Sequence, residues 1–198
     1  MKKNTFFFML LFFLTGCQIA GTLYNVGSKV GAIVMDERSI KDDWTDSKIN
    51  LTLRGKLASA NPAYALDIEI TVFESEVMLN GALPNIEDIE RVTEIAWQIE
   101  PVTKVYNHIR LKKPSTLIDT SKDAYIASSI RTDLMMTQGI TSVNYKITVE
   151  DSTLYVMGIA ADNLEYKRVM NILKSQKGIN KIISHVRKSY KTNSESSF

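Results

Sequence analysis

The stretch "DIEITVFESEVMLNG", residues 67–81, decides the fold. Apolar Ile68, Ile70 and Val72 alternate with Asp67, Glu69 and Thr71, the period of a half-buried strand. "ESE" (74–76) turns the chain, and Val77 and Leu79 resume the alternation up to Gly81. Downstream, "LPNIEDIERVTEIAWQIE" (83–100) puts Ile89, Val92, Ile95, Ala96 and Ile99 on one helical side, with Pro84 at its start. "VTKVYNHIRL" (102–111) alternates again, with Val105 and Ile109 inward. Upstream, Ile49, Leu53 and Leu57 recur at i, i+4 and i+8, near one face of a helix for which Asp46 offers an N-cap. The order is helix, strand, strand, helix, strand. If the last two strands are parallel, the helix between them makes a right-handed crossover.

The same order occurs twice. Residues 46–110 lie over residues 123–187 at a constant offset of 77, without a gap. Asp46 meets Asp123, Ile49 meets Ile126, Arg54 meets Arg131 and Leu57 meets Leu134. Ile70–Thr71 meets Ile147–Thr148, Gly81 meets Gly158, His108 meets His185 and Arg110 meets Arg187. One unit of about 70 residues is used twice.

This α-β-β-α-β repeat resembles the BON module. The resemblance rests on "VMLNGALPN" (77–85) and "LYVMGIAAD" (154–162), each a strand ending in Gly before a helix start, and on the closing strands "VTKVYNHIR" (102–110) and "INKIISHVR" (179–187). It implies an α+β fold: two tandem modules, each a three-stranded mixed sheet with two helices on one face. The expected boundaries are 42–113 and 118–190, with a linker at 114–117 and a disordered tail at 191–198.

The N-terminus addresses location. Lys2 and Lys3 precede "FFFMLLFFL" (6–14), an apolar run too short to span a bilayer but suited to the core of a secretory signal. Gly16 then stands before Cys17, the sole cysteine of the chain. A lone cysteine excludes an intrachain disulfide, and zinc sites want three or four converging ligands. The segment resembles a bacterial lipoprotein signal, which implies cleavage after residue 16 and lipidation, palmitate included, on Cys17. Gln18, not Asp, then implies the outer membrane. Residues 17–41 would form a flexible tether. Cleavage would leave 22 basic and 22 acidic residues, so overall charge gives no support for nucleic-acid binding. A lipoprotein signal, "DERS" (36–39) and two modules resemble the dual-BON outer-membrane lipoproteins. That family implies a periplasm-facing protein, phospholipid interaction and upkeep of the envelope barrier.

Chemistry is sparse. The two histidines, His108 and His185, share one repeat position, which suits an open sheet face better than a catalytic base. "GTLYNVGSKVG" (21–31) lacks the spacing of a phosphate-binding loop. No base, nucleophile and orienting group stand together in the pattern, so no catalytic residue, metal or cofactor is expected.

The copies differ in charge. Residues 42–113 hold 12 acidic and 8 basic side chains; residues 118–190 hold 7 and 10. The second module is the one suited to an anionic surface. Its first helix carries Tyr125, Ser129, Thr132 and Met136 in a stripe turned away from Ile126, Ile130 and Leu134. The sister positions are Lys48, Thr52, Gly55 and Ser59, none of them large and apolar. The stripe suits either a membrane interface, helped by Lys122 and Arg131, or packing against the other module or a loop. The family resemblance favours lipid. The open sheet faces present Met78, Asn80, Tyr106 and His108 in one module and Tyr155, Met157, Ile183 and His185 in the other. Bare apolar faces of this kind find partners, here the sister module or, in a scaffold reading, an outer-membrane assembly factor or cell-wall component.

Overall fold

A computed structural model of the chain describes the backbone of residues 37–112 and 120–189 and the side chains of 43–112 and 121–189. The signal segment, Cys17, the tether as far as residue 36, the linker at 114–117 and the tail at 191–198 lie outside the described residues.

The first module runs α1 (Glu37–Ala60), α2 (Pro62–Asp67), β1 (Ile68–Phe73), β2 (Glu76–Leu83), α3 (Ile86–Trp97) and β3 (Lys104–Leu111). The second runs α4 (Thr120–Met136), β4 (Tyr145–Glu150), β5 (Thr153–Ala160), α5 (Asn163–Lys174) and β6 (Lys181–Lys188). Each sheet has three strands in sequence order. The first pair is antiparallel and the second parallel, so α3 and α5 are the crossovers. The register repeats as well: Ile68 lies opposite Gly81 and Tyr145 opposite Gly158.

Each core forms between helices and one sheet face. Ile49, Leu53 and Leu57 of α1 meet Ile70, Val72, Val77 and Leu79 of the sheet, closed by Val92, Ile95 and Ala96 of α3. Ile126, Ile130 and Leu134 of α4 play the same part against Ile147, Leu154 and Val156. Burying each such side chain contributes about 2 kcal/mol. The repeated glycines have a steric cause. Gly81 and Gly158 hold φ values of 139° and 154°, and a Cβ there would collide with the carbonyl oxygens of Asp67 and Asn144.

Several element ends differ from the sequence expectation. Helix α1 reaches back to Glu37, so residues 37–41 of the expected tether are helical. Asp46 therefore sits inside a helix and caps nothing. Its carboxylate instead accepts the backbone N–H groups of Glu74 and Ser75, both at 2.8 Å. Asp123 does the same for Asp151 and Ser152 at 2.6 and 3.3 Å. These are the two-residue turns of the hairpins, and all four residues have φ between 49° and 60°. Side chains other than Gly and Asn resist that conformation, so a carboxylate clamps each turn. Helix α3 is shorter than residues 83–100: Asn85 caps it by accepting from Asp88 N at 2.7 Å, and Pro84 precedes the cap. Ile99 still packs in the core, from the turn that follows. Helix α2 was not foreseen; Asn61 caps it and Pro62 begins it.

Candidate functional site

The uncovered face of each sheet packs against the other. Met78, Tyr155 and Met157 form a buried cluster, with Phe73, Tyr106 and Ile183 against it. The contacts recur with the modules exchanged, as across a two-fold dimer interface. Arg110 reaches Asp151 at 2.8 Å, and its repeat equivalent Arg187 reaches Glu74 at 2.6 Å. Arg110 also meets Glu150 at 2.9 Å. Both arginines thus grip the opposite hairpin turn, the same turn that Asp46 or Asp123 holds from within its own module.

His108 and His185 meet each other, Nε2 to Nε2 at 2.8 Å. One imidazole donates and the other accepts, and the lowered pKa of each ring favours a neutral pair with complementary tautomers. His185 stacks on Tyr106 with ring centres 3.7 Å apart, and His108 tilts against Tyr155. Burial pushes the His185 pKa down to about 4, with His108 and Lys104 adding repulsion of a second positive charge. Burial likewise lowers His108, with Lys181 contributing. Burial raises the Tyr155 phenol. This constellation joins two modules. Among the described residues no group of three or more His, Cys, Asp or Glu stands where it could hold a metal ion.

The α4 stripe lies in solvent. Tyr125 is 76% exposed and Met136 78%, with Met135 beside them at 65%. The sister module therefore does not cover them. Ser129 is half-buried, Lys122 is exposed on the same side, and Thr132 donates back to the Ser128 carbonyl at 3.0 Å. Arg131 does not join the stripe. It lies about 120° round the helix from Tyr125, and its guanidinium donates to the Ile147 carbonyl on edge strand β4. Its equivalent Arg54 donates to the Ala65 carbonyl.

The comparison of repeat positions missed two large apolar groups. Trp44 and Leu51 on α1 are 75% and 74% exposed. They are seven residues apart, hence on one face, and flank Lys48 rather than matching Tyr125 or Met136. A scan of α1 alone for apolar residues off its core stripe would have found them. Buried Glu165 is structural: it accepts the Thr141 and Ala161 backbone N–H groups, both at 2.6 Å.

The sequence has known relatives. A profile of the BON domain matches residues 45–113 and 122–187. An uncharacterized protein in the gshII 5′ region of Anaplasma centrale is 34% identical over 121 residues, 61% of this chain and 80% of that one. The 21 kDa hemolysin of Actinobacillus pleuropneumoniae is 22% identical over 116 residues, 59% of each chain. The outer membrane lipoprotein DolP of Haemophilus influenzae is 18% identical over 184 residues, 92% of this chain and 94% of that one. Two matched segments that coincide with two copies of one helix-and-sheet unit settle the family: the chain belongs to the BON-domain proteins.

Proposed function

We propose that the chain is a non-enzymatic envelope lipoprotein, tethered by acyl chains on Cys17 to the inner leaflet of the outer membrane and facing the periplasm. Its second module binds anionic phospholipid, its first orients the second, and together they support envelope integrity. The similarity to an outer membrane lipoprotein over 92% of the chain supports the location, as does Cys17 behind its apolar run. Several acyl chains hold far more firmly than one.

One observation carries the lipid reading: α4 holds Tyr125 and Met136 more than three-quarters exposed, in the module whose charge is positive. An aromatic with a polar tip belongs at headgroup depth, and basic residues near an anionic surface contribute roughly 1 kcal/mol each. Lys122 stands on the same side; Arg131, engaged with β4, contributes charge from the flank. Mixing the chain with vesicles tests this. Binding should need anionic lipid, weaken with salt, and fall about tenfold in Tyr125→Glu while Lys48→Glu stays nearly silent. Equal loss from both substitutions would move the site off α4.

A second reading, a scaffold for an outer-membrane assembly factor or cell-wall component, is favoured by Trp44 and Leu51 on α1. The sheet faces are not its route, because each is covered by the other module. Absence of binding to any vesicle would favour it.

A further inference from the structure

The two-fold pattern of the inter-module contact breaks at one place. Phe73 packs on the apolar cluster that contains Met157. The repeat puts Glu150 where Phe73 stands and Asn80 where Met157 stands. An apolar contact on one side of the interface thus has a polar counterpart on the other. The polar side is not closed. Asn80 is 1% exposed, and neither its amide nitrogen nor its amide oxygen has a partner. The Oε2 atom of Glu150 is buried and unpartnered too. Both residues line a cleft of about 560 Å3 between the modules. A buried amide and carboxylate oxygen left unsatisfied carry their full desolvation penalty, and native proteins keep such groups where something meets them.

Charge narrows what meets them. Asp67, Glu69, Asp123 and Glu150 line the cleft, with Arg54 as the cation among its lining residues. Arg110 holds Glu150 through Oε1 but is shared with Asp151, so it neutralises one carboxylate of two. Lys112 reaches Asp67 at 3.5 Å, and the buried Nε of Arg110 is itself without a partner, yet negative charge stays in surplus. A group that brings one positive charge and several N–H donors to two acceptors is a primary ammonium. Leu66, Ile68 and Val149, also in the lining, suit the short carbon chain that bears it. Among the described residues no metal-binding group of acidic or histidine side chains forms here, which points to an organic cation.

We propose that this cleft binds a primary ammonium group, carried by a free small amine or by a lipid headgroup, with Asn80 Oδ1 and Glu150 Oε2 as its acceptors. The site is separate from the α4 stripe and does not depend on it.

The test titrates ethanolamine into the full-length chain in detergent micelles and follows the backbone signals of Asn80, Gly81 and Val149. A saturable shift is expected. Choline, with the charge but no N–H, should give none. Asn80→Leu should weaken ethanolamine about tenfold or more. That variant should stay folded, because apolar Met157 fills the equivalent place in the other half. Glu150→Gln keeps size and removes charge, and should weaken binding as well. Bicelles with phosphatidylethanolamine or phosphatidylcholine separate the sources. A preference for the first that Asn80→Leu abolishes assigns the headgroup; ethanolamine binding without that preference assigns the free amine. Equal binding of ethanolamine and choline, binding unchanged in both variants, or no response to either source would overturn the proposal. Tyr125→Glu should leave ethanolamine binding intact, so failure of the bilayer contact on α4 reads separately.

Discussion

A carboxylate that accepts two backbone N–H groups is the device that holds each hairpin turn. Asp123 is the more buried of the two, at 5% exposure. Asp123→Ala should lower stability by about 2–3 kcal/mol, since hydrogen bonds to a charged group are worth 1.5–3 kcal/mol. Chemical denaturation checks this, and a loss under 0.5 kcal/mol would deny the clamp. The repeat showed that position 46 matches position 123, but its task was illegible, because a helix start and a helix interior look alike when both hold Asp. His108 and His185 were legible as occupants of a sheet face. Their mutual contact was not, since it spans two modules. The contact gives a pH dependence. The unfolded imidazole takes its proton near its ordinary value of 6.5, whereas folded His185 resists until about 4. The unfolded state thus binds more protons in that window, and stability present above it is lost as pH falls through it. After allowance for solvent screening the loss is on the order of 1–2 kcal/mol. His185→Phe keeps the stack on Tyr106 and should flatten the acid limb of a urea-midpoint profile; an unchanged limb would place the titration elsewhere.

Strands were the most legible elements, because period two is visible in residues as few as Ile68, Ile70 and Val72 of edge strand β1, although the central strands β2 and β5 are buried on both faces. Helix ends were less so. Pro84 suggested a start, but Asn85 supplies the cap oxygen. Edge strands need protection, and side chains of the first helices provide it. Asn50 donates to the Ile70 carbonyl at 2.9 Å, and Arg131 donates to the equivalent Ile147 carbonyl. Arg131→Ala should therefore cost about 1 kcal/mol of stability in the second module. Vesicle binding by the folded variant should drop far less than in Tyr125→Glu. A variant of full stability with binding lost would instead return Arg131 to the membrane face. The α4 stripe itself was readable from spacing, and its exposure awaited the packing of the sister module.

At the scale of the whole molecule, two copies of one unit make an internal dimer. The sequence marked which residues lie on the open faces; that Arg110 and Arg187 would each grip the opposite turn follows only from the two-fold packing. Residues 118–190 alone would expose Tyr155, Met157 and Ile183. That fragment should lose structure or pair with itself through the same face, since a large aromatic at such a centre carries about 2 kcal/mol or more. A monomer with an unchanged Tyr155 environment would contradict the packed interface. The central functional claim is that α4 meets an anionic bilayer while α1 does not. Spin labels at Tyr125→Cys and Lys48→Cys, in a Cys17→Ser background on anionic vesicles, test it most directly. The label at 125 should gain access to lipid-soluble oxygen and lose access to a water-soluble relaxant, while the label at 48 stays in water. Shielding at 48, or at neither position, would contradict the account.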